Sequence, residues 1–313
     1  MPVCCPHTSA ILLPMRWKIR LSEAGVHLFD RVSGVNVLLD EVDVPSGQLS
    51  RAPRYLSIAL TNACELRCGY CYAPKYAAAL ELSRVASWAV ELDGAGCLGM
   101  GFGGGEPTLY RGFVELCGRV AESTSMAVTF TTHGHRVSPG LTEELRGSVH
   151  FVRLSVDGVG ATYERLRGRS FAAVTSAASL LRSISPLGIN AVVNKDTIGE
   201  LDDLVAFAAD AGASELLLLP EQPTAATSGI SNSDAERLGQ WIRTTNVPMQ
   251  LAISRTGLDA SVPGVEIIPG EHPSDAYLHV DAGGVLRANS YAQTGTPIAD
   301  SILDAVQVLR EAA

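Results

Sequence analysis

Three of the chain's seven cysteines fall in one short string, CELRCGYC, which runs from Cys64 to Cys71. Their spacing is C-x3-C-x2-C. Thiolates are soft ligands, and three on a single loop can converge on one iron–sulfur cluster or on one zinc ion. Structural zinc takes four protein ligands in a closed tetrahedron, and no fourth cysteine or histidine stands close by in sequence. A cluster with three protein ligands keeps one iron open to a substrate or cofactor. Clustered thiols in a chain too cysteine-poor for a disulfide scaffold point to metal or redox chemistry. Cys97 and Cys117 read as small apolar core residues, and Cys4 and Cys5 sit at the chain's start.

A second string, GGGEPTL from Gly103 to Leu109, follows the apolar run CLGMGF. Glycines after a parallel strand let backbone approach a ligand closely, and Glu106 adds a carboxylate at the same edge. By itself the string could also be a tight turn. Three more apolar runs end in polar residues: AVTFTT at Thr131, Thr132 and His133, FVRLSV at Ser155 and Asp157, and INAVVN at Asn194. His133 and His135 flank Gly134 and are candidates for acid–base work. Tyr72 follows the third cysteine and either covers the metal site or belongs to the core.

The cysteine spacing with Tyr70 before the third thiol, together with Gly104-Gly105-Glu106-Pro107, resembles the radical S-adenosylmethionine (SAM) superfamily. The resemblance implies one [4Fe–4S] cluster on Cys64, Cys68 and Cys71, with SAM chelating the open iron. It implies contacts to SAM from Tyr70, Gly104, Gly105, Glu106, Thr132, Ser155, Asp157 and Asn194. Arg167 would pair with the SAM carboxylate, a bidentate task suited to guanidinium. His133 departs from the Thr-Asn-Gly string of relatives at this strand end.

These residues must be held by regular elements, and the rest of the chain supplies them. From residue 53 to 245, strand-like and helix-like stretches alternate, with strands at YLSIAL, CLGMGF, AVTFTT, FVRLSV, INAVVN and ELLLLP. Helices are expected over 77–92, 113–122, 141–146, 171–185, 201–211 and 234–244. Apolar strands alternating with helices require a parallel sheet covered on both faces. Six such units predict a partial (β/α)6 barrel of the TIM type, with a doubly wound sheet as competitor. In both, ligands belong at the carboxyl ends of the strands. Residues 1–52 read as a small β-rich segment. Residues 246–313 read as a short α+β extension, with a strand at VPMQLAIS, a loop over 257–275, a hairpin turning at Gly283-Gly284 and a helix over 301–312. The extension resembles the SPASM or twitch modules of relatives, but Ala288-Asn289 stand where those carry cysteine. No cysteine follows Cys117. One cluster is therefore expected, without an auxiliary one.

Composition narrows the partners. Lys and Arg number 24 against 33 Asp and Glu, a net charge of −9, and no basic stretch advertises a nucleic-acid face. No apolar run approaches the roughly 18 residues of a membrane span, and no signal-peptide layout opens the chain, so a cytoplasmic setting is expected. The expected enzyme cleaves SAM reductively and takes a hydrogen from a ribosomally made precursor peptide, for cross-linking, epimerisation or a related change. An external one-electron donor such as flavodoxin or ferredoxin would feed it. A small metabolite such as a sugar or aminoglycoside is the alternative substrate. A non-catalytic iron–sulfur or zinc protein is the reading from another class.

Overall fold

The computed structural model describes residues 17–254, 268 and 271–312. Cys4, Cys5 and most of the loop expected over 257–275 lie outside the described residues. The chain first forms a small antiparallel sheet of β1 (Lys18–Ser22), β2 (Gly25–Phe29) and β3 (Asn36–Leu39). Six parallel strands follow, neighbours in chain order: β4 (Tyr55–Thr61), β5 (Gly99–Gly104), β6 (Ala127–Thr132), β7 (Phe151–Ser155), β8 (Leu187–Val193) and β9 (Glu215–Pro220). The helices between them are α1 (Leu82–Gly94), α2 (Phe113–Ser123), α3 (Pro139–Leu145), α4 (Gly160–Arg167), α5 (Phe171–Arg182) and α6 (Leu201–Asp210). The result is the partial (β/α)6 barrel expected from the alternation.

The last part of the chain extends the same sheet at both ends. After α7 (Asn232–Thr244), β10 (Gln250–Ile253) lies parallel beside β9. The short α8 (Pro273–Ala276) leads into β11 (Tyr277–Val280), which lies parallel beside β4. The hairpin partner β12 (Val285–Arg287) and then β13 (Thr296–Pro297) are antiparallel. The closing helix α9 (Ile302–Glu311) rests on α1, where Glu91 accepts from the Ile302 backbone N–H at 3.2 Å.

Period-two patterning explains which way each strand faces. Leu56, Ile58, Met100, Val128, Val152 and Leu216 are wholly buried under the helices. The alternate positions line the inner face, where β5 contributes only glycines. A side chain on Gly99 would stand 3.0 Å from the Tyr55 ring, and one on Gly101 would stand 2.2 Å from its hydroxyl. The two glycines thus make room for Tyr55, which bonds Thr129. Arg153 and Glu215 pair at 2.7 Å across the same inner face.

Besides α8, whose residues Pro273–Ala276 reach into the loop expected over 257–275, two helices differ from expectation. The first begins at Leu82 rather than residue 77, because Ala78 and Leu80 pair with the end of β4, where Asn62 N–H donates to Ala78 at 3.0 Å. The second, α4, lies where no helix was expected. Its start is capped from afar by Glu200, which accepts from the Val159 N–H at 2.9 Å, and its end turns on Gly168 at φ +66°.

Candidate functional site

The cysteine loop leaves β4 directly and lies at the carboxyl edge of the sheet, where the barrel's ligand side is. Its first residues are pinned to the turn after β5. Gly105 N–H donates to Thr61 at 2.7 Å, and Glu106 N–H donates to Ala63 at 2.8 Å. This close approach requires the glycines. Gly104 has φ +115°, and a Cβ on Gly105 would stand 2.2 Å from the Ala63 carbonyl. Gly104 thus admits the end of β4, and Gly105 admits the backbone of the cysteine loop's first residues.

Glu106 is 1% exposed, and its carboxylate is a hub. Oε1 accepts from Thr108 N–H at 3.2 Å, from the Thr108 hydroxyl at 2.7 Å and from Thr132 at 2.8 Å. Oε2 accepts from the His133 N–H at 3.0 Å. The His133 ring accepts the His135 N–H on Nδ1, which leaves its hydrogen on Nε2. Nε2 lies 3.3 Å from both Glu65 Oε2 and Glu106 Oε2. Glu65 adjoins Cys64, so β6 reaches the cysteine loop through this one ring. Arg136 adds a second tie to Glu65 at 3.9 Å.

Replacing Glu106 with glutamine puts an amide between two fixed N–H donors, on Thr108 and His133, so one donor must face another in either flip. Leaving one buried donor unmet costs about 1–3 kcal/mol. The expected result for Glu106→Gln is a lower melting temperature as well as weaker SAM binding. Differential scanning calorimetry beside SAM titration checks both, and an unchanged melting curve would remove Glu106 from the frame.

The other end of the loop is held from β7. Asp157, 1% exposed, accepts from Tyr70 and from both Nε, at 2.6 Å, and Nη2 of Arg167. Its second oxygen accepts from Val192 N–H at 2.7 Å. Burial opposes the Arg167 charge, but Asp157, Tyr70 and Cys68 outweigh it and raise the guanidinium pKa above its ordinary value. Nη1 of Arg167 has no partner among the described residues. Tyr72 packs against Tyr291, in the turn after β12, and against His279 of β11, with ring centroids 5.3 and 6.4 Å apart. The loop is therefore tied to β6, β7 and the extension at once.

The three thiols are free and half-buried. Cys71 lies within electrostatic reach of both Cys64 and Cys68, and burial pushes those two thiols above their usual pKa. Metal binding removes that penalty by taking the thiolates. The Cys64 sulfur, Glu65 and His133 donor atoms lie within 4.8 Å of one another. A single ion there would leave Cys68 and Cys71 unused, whereas a cluster uses all three. Glu65 Oε2 and His133 Nε2, buried beside Cys64, lie 3.3 Å apart without forming a hydrogen bond.

The remaining candidates separate. Ser155 stands half-buried at the end of β7 with its hydroxyl unbonded among the described residues. Asn194 turns its amide to Glu221 at 2.6 Å. His135 bonds the Tyr163 hydroxyl at 2.9 Å, and burial, with His133 and two arginines nearby, holds its pKa down at about 4. Its ring is neutral at pH 7. Cys97 and Cys117 are wholly buried in the core. Glu65, Glu200 and Glu221 were not legible as site residues. Only Glu65, beside Cys64, carried a signal, and its pattern is common.

A parallel half-barrel with a three-thiol loop on its carboxyl edge is the build of a radical SAM enzyme. Residues 58–208 match the Radical SAM superfamily model, and the chain carries a radical SAM domain. Its cofactors are accordingly a [4Fe–4S] cluster and SAM. A GTP 3′,8-cyclase of Caulobacter vibrioides is 28% identical over 259 residues, covering 75% of this chain and 68% of that protein. The sporulation killing factor maturation protein SkfB of Bacillus subtilis is 31% identical over 185 residues, covering 56% of this chain. This chain spans only 45% of SkfB's length. Among solved structures, Streptococcus suis SuiB bound to S-adenosylmethionine aligns with a TM-score of 0.71 at 16% identity, covering 93% of this chain and 86% of that one. SuiB is also solved with its precursor peptide SuiA. That likeness is one of fold. No helix among the described residues is long and apolar enough to cross a membrane.

Proposed function

We propose that Cys64, Cys68 and Cys71 hold one cluster, and that the enzyme modifies a ribosomally made precursor peptide. When bound, such a cluster would supply the electron for reductive cleavage of SAM, the chemistry by which these enzymes take a hydrogen atom from substrate. The chain's own residues orient that chemistry. Glu65 and Glu106 offer carboxylates to the amino group of SAM, and the free Nη1 of Arg167 offers a donor to its carboxylate. Ser155 offers its hydroxyl to the ribose. Thr132, Asp157, Tyr70 and Asn194 act through the groups they bond, as positioning residues. A flavodoxin or ferredoxin is the proposed electron source.

The observation that carries this reading is the cysteine loop tied at both ends to the carboxyl edge of the barrel. The peptide substrate is supported by the maturation protein among the relatives. The nucleotide cyclase among them favours a small molecule as the second reading. Anaerobically reconstituted protein is expected to hold about four irons per chain. Reduced with dithionite, it should convert SAM to 5′-deoxyadenosine. Co-expression with each short reading frame beside the gene should change the mass of one encoded peptide. Seven or eight irons in the wild type, with about four surviving loss of all three cysteines, would overturn the single cluster; deuterium transfer from a sugar or nucleotide instead would select the second reading.

A further inference from the structure

The sheet of β1, β2 and β3 is amphipathic in the reverse sense. Its barrel-facing side carries the charges. Lys18, Arg20, His27 and Asp30 are each at most 8% exposed. Lys18 donates to the Asp93 carbonyl at 3.0 Å, and Arg20 to those of Ala52 at 2.7 Å and Gly96 at 3.3 Å. Arg31 caps the end of α2, donating to Thr124 at 2.7 Å. Alternation then sends the apolar side chains outward. The register puts Ile19, Leu28 and Val37 in one row across the three strands, and Leu21, Val26 and Leu39 in the next. Among the described residues, seven of the eleven exposed large apolar side chains lie within residues 17–42, Trp17, Val32 and Val42 among them. Such concentration marks an interaction surface rather than scattered surface residues.

Two further observations define the partner. The outer edge of β3 pairs with no strand among the described residues, and β3 carries no charge, proline or bulge of the kind that blunts free edges. Among the described residues, the chain leaving β3 is acidic. Glu23, Asp40, Glu41 and Asp43 are exposed, whereas Lys18, Arg20 and Arg31 all point to the barrel. We propose that β3 accepts an extended peptide strand, apolar at alternate positions and flanked by lysine or arginine, which adds a fourth strand to this sheet. Main-chain bonds to β3 give affinity, and alternate apolar side chains prolong the two exposed rows. This surface packs below the barrel floor, at Ala52 and Gly96 before β4 and β5, so it is separate from the cysteine loop at the opposite strand ends.

The test is selection of a displayed random dodecapeptide library on the reconstituted full chain, with titration of the winning synthetic peptides. Peptides alternating apolar residues with Lys or Arg should be enriched. Val37→Asp with Leu39→Asp should weaken their binding at least tenfold, while deoxyadenosine formation stays at the wild-type rate. Asp40→Lys with Glu41→Lys lies outside the strand, does not disturb its packing, and should weaken binding by a similar factor. Enrichment of acidic or pattern-free peptides, or equal binding by both variants, would overturn the proposal. So would sedimentation showing a wild-type dimer that Val37→Asp dissolves, since a second copy would then be the occupant. Binding seen only after removal of residues 1–16 would assign the edge to the chain's own start.

Discussion

Replacing Cys71 with alanine is expected to drop iron from about four to under one per chain and to abolish 5′-deoxyadenosine formation. The thiol has no hydrogen bond, so the change removes a ligand without removing a structural contact. The loop keeps its ties through Glu65, Tyr70 and Tyr72, and the fold keeps its core. Exposed or half-exposed sites without such contacts change stability by about 0.5 kcal/mol or less. The apo form of Cys71→Ala should therefore melt with the apo wild type. Iron analysis, product chromatography and a melting curve on both apo proteins decide the matter together. Full iron content in the variant would show that another residue holds the cluster. A collapsed melting curve would mean that the thiol serves the fold.

The strands and the cysteine loop were legible because both are written locally. Period-two runs such as YLSIAL announce their buried face, and three thiols on one loop have few uses. What the sequence hid depends on contacts from far along the chain. Helix α4 starts where Glu200, some forty residues on, satisfies the Val159 N–H, and no local cap signals it. The segment before Leu82 has helical composition, yet pairing with the end of β4 claims its backbone first. His133 reads in sequence as an isolated polar residue and gains its meaning only from Glu65 and Glu106, which arrive from two other strand ends. The inward turn of Lys18 and Arg20 was hidden for the same reason. The strand alternation was visible, but which face meets the barrel is decided by the carbonyls of Ala52, Gly96 and Asp275.

Arg167 belongs to both the fold and the proposed SAM site, and variants can separate the two. Asp157 is 1% exposed and the Arg167 side chain 11%, so Arg167→Ala strands a buried carboxylate. Breaking such a pair costs about 3–5 kcal/mol, because the remaining charge is left without compensation. The variant should melt well below wild type and bind SAM weakly, and alone it could not say which loss causes which. Arg167→Met with Asp157→Asn removes both charges, keeps the stem's packing and leaves an amide whose oxygen can accept from the Val192 N–H while its NH2 donates to the Tyr70 hydroxyl. Neutral replacement of a buried pair restores most of the stability. Affinity for SAM should stay low, because loss of a charged partner costs about 2–5 kcal/mol, or about 30-fold and more. Arg167→Lys completes the set: it keeps the charge but not the fork that bonds Asp157 through two nitrogens. It should fall between wild type and the alanine variant in both melting and SAM titration. If the double variant regains wild-type SAM affinity together with its stability, Arg167 serves the fold through Asp157, and the SAM carboxylate must be held elsewhere.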